Sequence, residues 1–208
     1  CSVRDGVEDV ILALEKHRYD SEHPEYYYRV RDVDPASLEL PARAARTIFL
    51  NKTGFNGLYR VNRAGRFNVP IGRYTKPSFC DKDNLRACSV VLKKAEIEVR
   101  DFTEILSHAK RGDFVYFDPP YDPVSETADF TAYIPGGFGW DRQKELASVF
   151  TKLAKKGVHV MLSNSDTPKI RELYSAFQID AVFASRSINS NAARRGKIGE
   201  VVVRSTRA

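Results

Sequence analysis

The sequence predicts an α/β protein built on a doubly wound, mostly parallel sheet, with a basic β-hairpin carried in its first half. Three observations predict it. Beyond residue 100, short apolar runs with strand character alternate with amphipathic helical patterns, the order that builds parallel sheets from βαβ units. A chain of 208 residues, 42% hydrophobic and 29% charged, is long enough for one sizeable core and a smaller appended part. The stretch Leu40 to Cys80 carries eight Lys or Arg residues and no acid, against a net charge of +6 for the whole chain, so the basicity is concentrated in one patch.

In chain order, Val7, Val10, Ile11 and Leu14 repeat at helical spacing and predict a first helix from about Asp5 to His17. A polar, Tyr-rich stretch follows, containing Tyr26, Tyr27 and Tyr28. Pro41 sits where a first helical turn tolerates it and opens a helix through Leu50. Next, Leu58 to Val61 and Arg66 to Val69 flank a turn at Asn62 to Gly65, which reads as a hairpin. A short helix is expected after Asp81, then a strand "AEIEVRDF" ending in Asp101 and Phe102. The alternating part is helix 103–110, strand "DFVYFDPPY", helix 141–156, strand "HVMLSNSD", helix 168–176, strand "DAVFASR" and a last strand "GEVVVRS". The segment "SINSNAARRGK", 187–197, reads as a loop.

Composition narrows the class. No apolar run reaches the roughly 18 residues of a membrane span, and no secretory leader is evident. Cys1, Cys80 and Cys88 form no CxxC pair and no even disulfide set, which points to a reducing, cytoplasmic setting. His17, His23, His108 and His159 show no metal-ligand spacing, so no metal is expected. A patch of cations with interleaved aromatics and no acids is suited to nucleic acid, whose phosphates it would neutralise.

The strand Phe114 to Phe117 delivers Asp118-Pro119-Pro120-Tyr121 to the carboxyl edge of the sheet, where open α/β sheets place their working residues. Two successive prolines give a stiff, extended turn with no N–H of its own, leaving carbonyls free to accept. That suits one difficult reaction. An exocyclic amine on a nucleobase is a poor nucleophile because its lone pair is delocalised into the ring. Two acceptors on its hydrogens, the Asp118 carboxylate and the Pro119 carbonyl, favour a pyramidal nitrogen with its lone pair aimed outward. Tyr121 offers a flat face for a base that has left the helix.

These residues carry a resemblance. The DPPY after "FVYF", the segment "FNGLYRVNRAGRFNVPIGRY" and the late "LSNS" resemble the Dam-type DNA adenine N6-methyltransferases, over about Asp5 to Val203. DPPY alone also suits enzymes that methylate cytosine N4, or amines of RNA or protein; the hairpin narrows it. The resemblance implies a Rossmann-like methyltransferase sheet with an inserted helical and β-hairpin DNA-recognition subdomain. It divides the chain into a helical part of the catalytic domain (1–31), a target-recognition subdomain (32–92) and a catalytic domain (93–208). It implies S-adenosyl-L-methionine as cofactor, double-stranded DNA as partner and GATC as the site. Asp118, Pro119, Pro120 and Tyr121 would hold a flipped adenine, with Asp101, Phe102 and Asp118 at the cofactor. Phe55 resembles an aromatic wedge with Asn56 beside it, Leu58 and Pro70 resemble thymine contacts, and Arg60 resembles a guanine reader. Arg73 and Lys76 suit phosphates, and Arg63 and Arg66 are solvated or phosphate-facing. Ser163 and Asn164 close a strand at the DPPY edge, as pocket lining or as a plain turn.

The departure is at the start. Members of the family open with a lysine-bearing segment, a glycine-rich strand and turn, and a strand ending in an acid, none of which is present before Cys1. The sequence therefore reads as N-terminally truncated, with an incomplete sheet. The expectation is weak cofactor binding and a chain inactive without that segment. The competing readings are a truncated, catalytically silent DNA-binding fragment and an amino-methyltransferase acting on another nucleic-acid sequence.

Overall fold

The computed structural model describes residues 1–62, 64–123, 138–185 and 197–205, with only the backbone of 183–185 and 197–198. Arg63 and nearly all of the expected loop 187–197 lie outside them. The chain divides into two compact units, Cys1–Val99 and Arg100–Ala208.

The first unit is helical around a ribbon. The expected first helix is two, α1 (Ser2–Asp5) and α2 (Val7–Leu14), because Gly6 at φ −153° and ψ 54° breaks the helical path between them. Val10, Ile11 and Leu14 are buried as their spacing predicts. The Tyr-rich stretch, left without structure by its polarity, forms α3 (Glu25–Asp32), which buries Tyr27. Helix α4 (Leu40–Thr53) has its proline in the first turn, as predicted. It inserts Ala45, Phe49 and Leu50 into a core with Val10, Leu14 and Tyr27. Arg46 shares that stripe and is only 7% exposed. Its guanidinium donates to the carbonyls of Val30 (2.9 Å) and Arg31 (2.6 Å), satisfying the last turn of α3, where helical carbonyls lack partners. After Asp81, whose carboxylate caps the Asn84 N–H at 3.0 Å, α5 (Lys82–Leu92) follows as expected.

The predicted hairpin is present as an irregular ribbon. Among the described residues, isolated antiparallel bridges join Val61 to Phe67 and Gly54 to Ile71. Its tip is the expected turn: Asn62 Oδ1 accepts from the N–H groups of Ala64 and Arg66, both at 3.0 Å, and Gly65 takes φ +73°. The segment "AEIEVRDF" is not a strand. Its apolar residues Ile97 and Val99 are exposed, and no described strand pairs with it, so alternation alone forms no ladder there.

The second unit holds the sheet. A turn at Phe102–Glu104 leads into α6 (Ile105–His108), followed by β1 (Phe114–Phe117), α7 (Trp140–Lys155), β2 (His159–Ser165), α8 (Pro168–Leu173), β3 (Gln178–Ser185) and β4 (Lys197–Arg204). The sheet order is β1-β2-β4-β3. β1 and β2 are parallel, with Phe117 opposite Leu162, whereas β4 is antiparallel to both β2 and β3. The expectation of a mostly parallel sheet is thus corrected to a mixed one. β1, β2 and β3 run one way, and β4 slots between β2 and β3 in reverse. The crossover β2–α8–β3 leaves a gap one strand wide, and the returning chain fills it. Leu146, Phe150 and Leu153 of α7 pack with Val160, Leu162, Val201 and Val203 of the sheet and with Ile170 and Tyr174. Each such fully buried side chain contributes about 1.5–3 kcal/mol.

Candidate active site and nucleic-acid interface

Strand β1 ends at Phe117, so the DPPY turn emerges at the carboxyl edge of the sheet as the sequence predicts. Asp118 is exposed, and Pro119, Pro120 and Tyr121 are half-buried. The adjacent strand orients the acid. The Tyr116 hydroxyl donates to Ser163 Oγ (2.9 Å), and Ser163 Oγ donates to Asp118 Oδ1 (2.9 Å). One carboxylate oxygen is fixed by this relay, and the other accepts no hydrogen bond from the described residues.

A buried amide pair locks the turn. Gln143, 1% exposed, donates through Nε2 to the Pro120 carbonyl (2.9 Å). Its Oε1 accepts from Asn164 Nδ2 (3.2 Å), and Asn164 Oδ1 accepts from the N–H groups of Asp122 (2.9 Å) and Ser165 (2.8 Å). Thr167 Oγ1 donates to Asp122 Oδ2 at 2.9 Å. The Pro120 carbonyl is therefore engaged, whereas the Pro119 carbonyl accepts no hydrogen bond from the described residues. Tyr121's phenol is pushed above its ordinary value chiefly by partial burial; Ser163 opposes the shift, and the Glu200 and Asp118 carboxylates add to it.

Asp101 and Phe102 lie in the same unit but make no hydrogen bond with Asp118. Asp101 caps the turn that follows it, accepting from Thr103 N (3.0 Å) and Oγ1 (2.6 Å), and it pairs with Arg142. The Arg142 guanidinium also lies 4.3 Å from the centre of the Phe102 ring. Thr103's hydrogen bonds, first the side chain and then the backbone, hold the Asp101 carboxyl down at about 2, with Arg142 adding to the effect. A folded value below the ordinary 3.8 means that the capped turn is fully stabilised above pH about 4 and loses that support as pH falls toward about 2. Acid titration followed at the Thr103 amide should give a midpoint near 2; a midpoint near 4 contradicts the capping geometry.

The DNA-facing candidates all belong to the first unit. Phe55 is 48% exposed, so it is no part of a hairpin core, and Asn56 beside it takes φ +54°, a strained value for a residue with a side chain. Leu58 is half-buried, while Arg60, Pro70, Arg73 and Lys76 are exposed. Arg60 is held across the ribbon: its Nε donates to Asn68 Oδ1 (2.7 Å) and an Nη to the Asn68 carbonyl (3.2 Å). The remaining guanidinium donors stay free for a ligand. Arg31, Arg43, Arg66, Tyr59 and Phe67 line a cavity of about 610 Å³ between the helices and the ribbon tip.

Sequence reasoning missed Gln143, Asn68 and Glu200 and left Asn164 undecided. Gln143 did leave a trace, because it is the polar member of an otherwise apolar stripe that continues through Leu146, Phe150 and Leu153. Asn68 left none, since cross-strand partners depend on register. Among the described residues no group of three or more His, Cys, Asp or Glu side chains gathers as a metal site, and no helix is long and apolar enough to cross a membrane.

Comparison with known proteins matches residues 1–188 to the D12 class N6 adenine-specific DNA methyltransferases. The chain is 41% identical over 207 residues to the type II methyltransferase M1.LlaDCHI of Lactococcus lactis subsp. cremoris, covering 97% of this chain and 72% of that protein. It is 41% identical over 194 residues to the type II methyltransferase M.MjaIII of Methanocaldococcus jannaschii, covering 91% and 66%. It is 36% identical over 184 residues to the DNA adenine methylase of Vibrio cholerae serotype O1, covering 88% and 66%. The chain thus spans about two thirds to seven tenths of the length of these relatives. A methyltransferase of this kind implies S-adenosylmethionine as methyl donor. With a family match over most of its length and a DPPY turn fixed at the sheet edge, the chain belongs to the D12 class N6 adenine-specific DNA methyltransferase family.

Proposed function

We propose that this chain supplies the base-holding and DNA-reading parts of an enzyme that methylates N6 of an adenine turned out of duplex DNA, in the sequence GATC. The observation that carries the reading is the asymmetry of the DPPY turn: one Asp118 oxygen and the Pro119 carbonyl are left available, while Ser163 and Gln143 occupy their neighbours. These two acceptors take the two hydrogens of the adenine amine, and Tyr121 stacks on its ring. S-adenosylmethionine, when bound, supplies an electrophilic methyl group on a sulfonium. Held by Asp118 and the Pro119 carbonyl, the amine would present its lone pair to that methyl, the N–C bond forming as the S–C bond breaks with a neutral thioether as leaving group. The surplus proton on nitrogen passes to the Asp118 carboxylate or to solvent. Asp101 and Phe102 are the chain's contribution to holding the cofactor.

On the DNA, Phe55 fills the space of the vacated base, with Asn56 beside it. Leu58 and Pro70 meet thymine through apolar surface, and Arg60 reads a guanine with the donors Asn68 leaves free. Arg73 and Lys76 contact phosphates and set register. Protection of GATC-bearing DNA from a methylation-sensitive nuclease by the full-length gene product tests the reading. Methylation of adenine outside GATC, or none, contradicts it.

The two kinds of contact separate by mutation. Arg60→Ala should cost about 1–3 kcal/mol on the specific site and relax discrimination at one base pair, whereas Lys76→Ala should weaken all duplexes alike. Equal losses on specific and random DNA for both variants would show that the ribbon reads no sequence.

A further inference from the structure

Only two isolated bridges hold the DNA-facing ribbon among the described residues, Gly54 to Ile71 and Val61 to Phe67. Four backbone hydrogen bonds accompany them: Phe55 N to Pro70 O (2.9 Å), Gly72 N to Thr53 O (2.8 Å), Asn62 N to Arg66 O (2.8 Å) and Asn68 N to Arg60 O (3.0 Å). A two-stranded ribbon of this kind is marginal in water on its own. A slip of one residue would send its side chains to the opposite face. The Asn62 turn and the Arg60–Asn68 contacts hold register at the tip, and a ribbon that reads bases through Arg60 and Pro70 needs it held at the base as well.

Three phenols converge on its base. Tyr27, 2% exposed, donates to the Val69 carbonyl at 3.1 Å and reaches that of Pro70 at 3.4 Å. Tyr19 donates to the Gly72 carbonyl at 2.5 Å and accepts from the Tyr74 N–H at 2.9 Å. Tyr74 in turn donates to the Gly54 carbonyl at 3.0 Å. The approach depends on bare backbone, since a Cβ on Gly54 would lie 2.9 Å from the Tyr27 hydroxyl and 2.6 Å from the Leu50 carbonyl. Burial pushes the Tyr27 phenol up to about 12, so it remains a donor throughout the neutral range. The Tyr27 and Tyr19 hydroxyls come from α3 and the segment before it, more than forty residues away in sequence.

We infer that Tyr19 and Tyr27 are positioning residues for sequence discrimination: their hydroxyls set the register of the ribbon and so decide which base edges Arg60 and Pro70 meet. The inference rests on the DNA-reading role proposed above. Neither tyrosine touches DNA; each acts through the Val69–Tyr74 backbone.

The test uses Tyr27→Phe and, at a less buried site, Tyr19→Phe, in the full-length protein. Affinities are measured for a GATC duplex and a scrambled duplex of equal length, with melting curves and amide exchange at Phe55 and Gly72. Each variant should lower the ratio of specific to random affinity by about tenfold, the cost of one buried carbonyl losing its donor. Random-duplex affinity should stay within about twofold, and exchange should quicken at Phe55 and Gly72 but not within α4. An unchanged ratio in both variants overturns the inference, and so does a parallel fall in both affinities that tracks the melting temperature. A wild type that prefers another adenine-bearing duplex defeats the GATC reading alone, and the ratio is then read on that duplex. A wild type that binds all duplexes alike overturns both.

Discussion

Asp118→Ala should lower single-turnover methyl transfer by about 10²–10⁴-fold or more while leaving duplex affinity nearly intact. The carboxylate is exposed at the end of β1 and contributes nothing to the core, so its loss should not unfold the sheet. Among the described residues its hydrogen-bond partner is Ser163 Oγ, which keeps the Tyr116 hydroxyl when the acid is removed. On the proposed reading, what disappears is the acceptor that holds one amine hydrogen and so favours a pyramidal nitrogen with its lone pair freed from the ring. Asp118→Asn separates shape from charge: it preserves size but presents a donor where an acceptor is needed, so it should be nearly as impaired. Paired rate and gel-shift measurements check this. A rate for Asp118→Ala within tenfold of wild type would remove the acid from the reaction.

Asn164→Ala should be the most destabilising change at the site, by about 3 kcal/mol. Asn164 is fully buried, and its amide serves three partners at once: Gln143 Oε1, the Asp122 N–H and the Ser165 N–H. Alanine leaves all three without this partner, and each unpaired buried group costs about 1–3 kcal/mol before relaxation. The loss should propagate to Pro120 through Gln143 and loosen the DPPY turn. Urea denaturation should show a lower midpoint at unchanged slope, and the fraction that remains folded should turn over more slowly. A midpoint equal to wild type would mean that the amide pair is hydrated rather than locked.

Much of the second unit was legible in the sequence because its elements are written in local periodicity. The apolar run of β1, the stripe of α7 and the helix α8 appear within a few residues of their expected places. Residues 60–74 were legible as a turn flanked by extended limbs because Asn62 and Gly65 carry their own local hydrogen-bond and backbone preferences. The Tyr-rich helix α3 was not, since its burial comes from one face packing on α4, a contact that polar composition hides. "AEIEVRDF" misled in the opposite sense: it alternates as a strand does, but a strand exists only with a neighbour to bond.

By itself, the sequence determined where an acid, two prolines and an aromatic ring would emerge from a strand. It also determined that the cations would concentrate between Leu40 and Cys80, because strand alternation, proline stereochemistry and charge content are properties of neighbouring residues. Only the tertiary structure decided that β4 returns antiparallel between β2 and β3, that Gln143 and Asn164 hold the DPPY turn, and that Tyr19 and Tyr27 reach the ribbon. These contacts join groups about twenty to fifty residues apart, and a hydrogen bond between such groups is set by how elements pack, which no local pattern encodes.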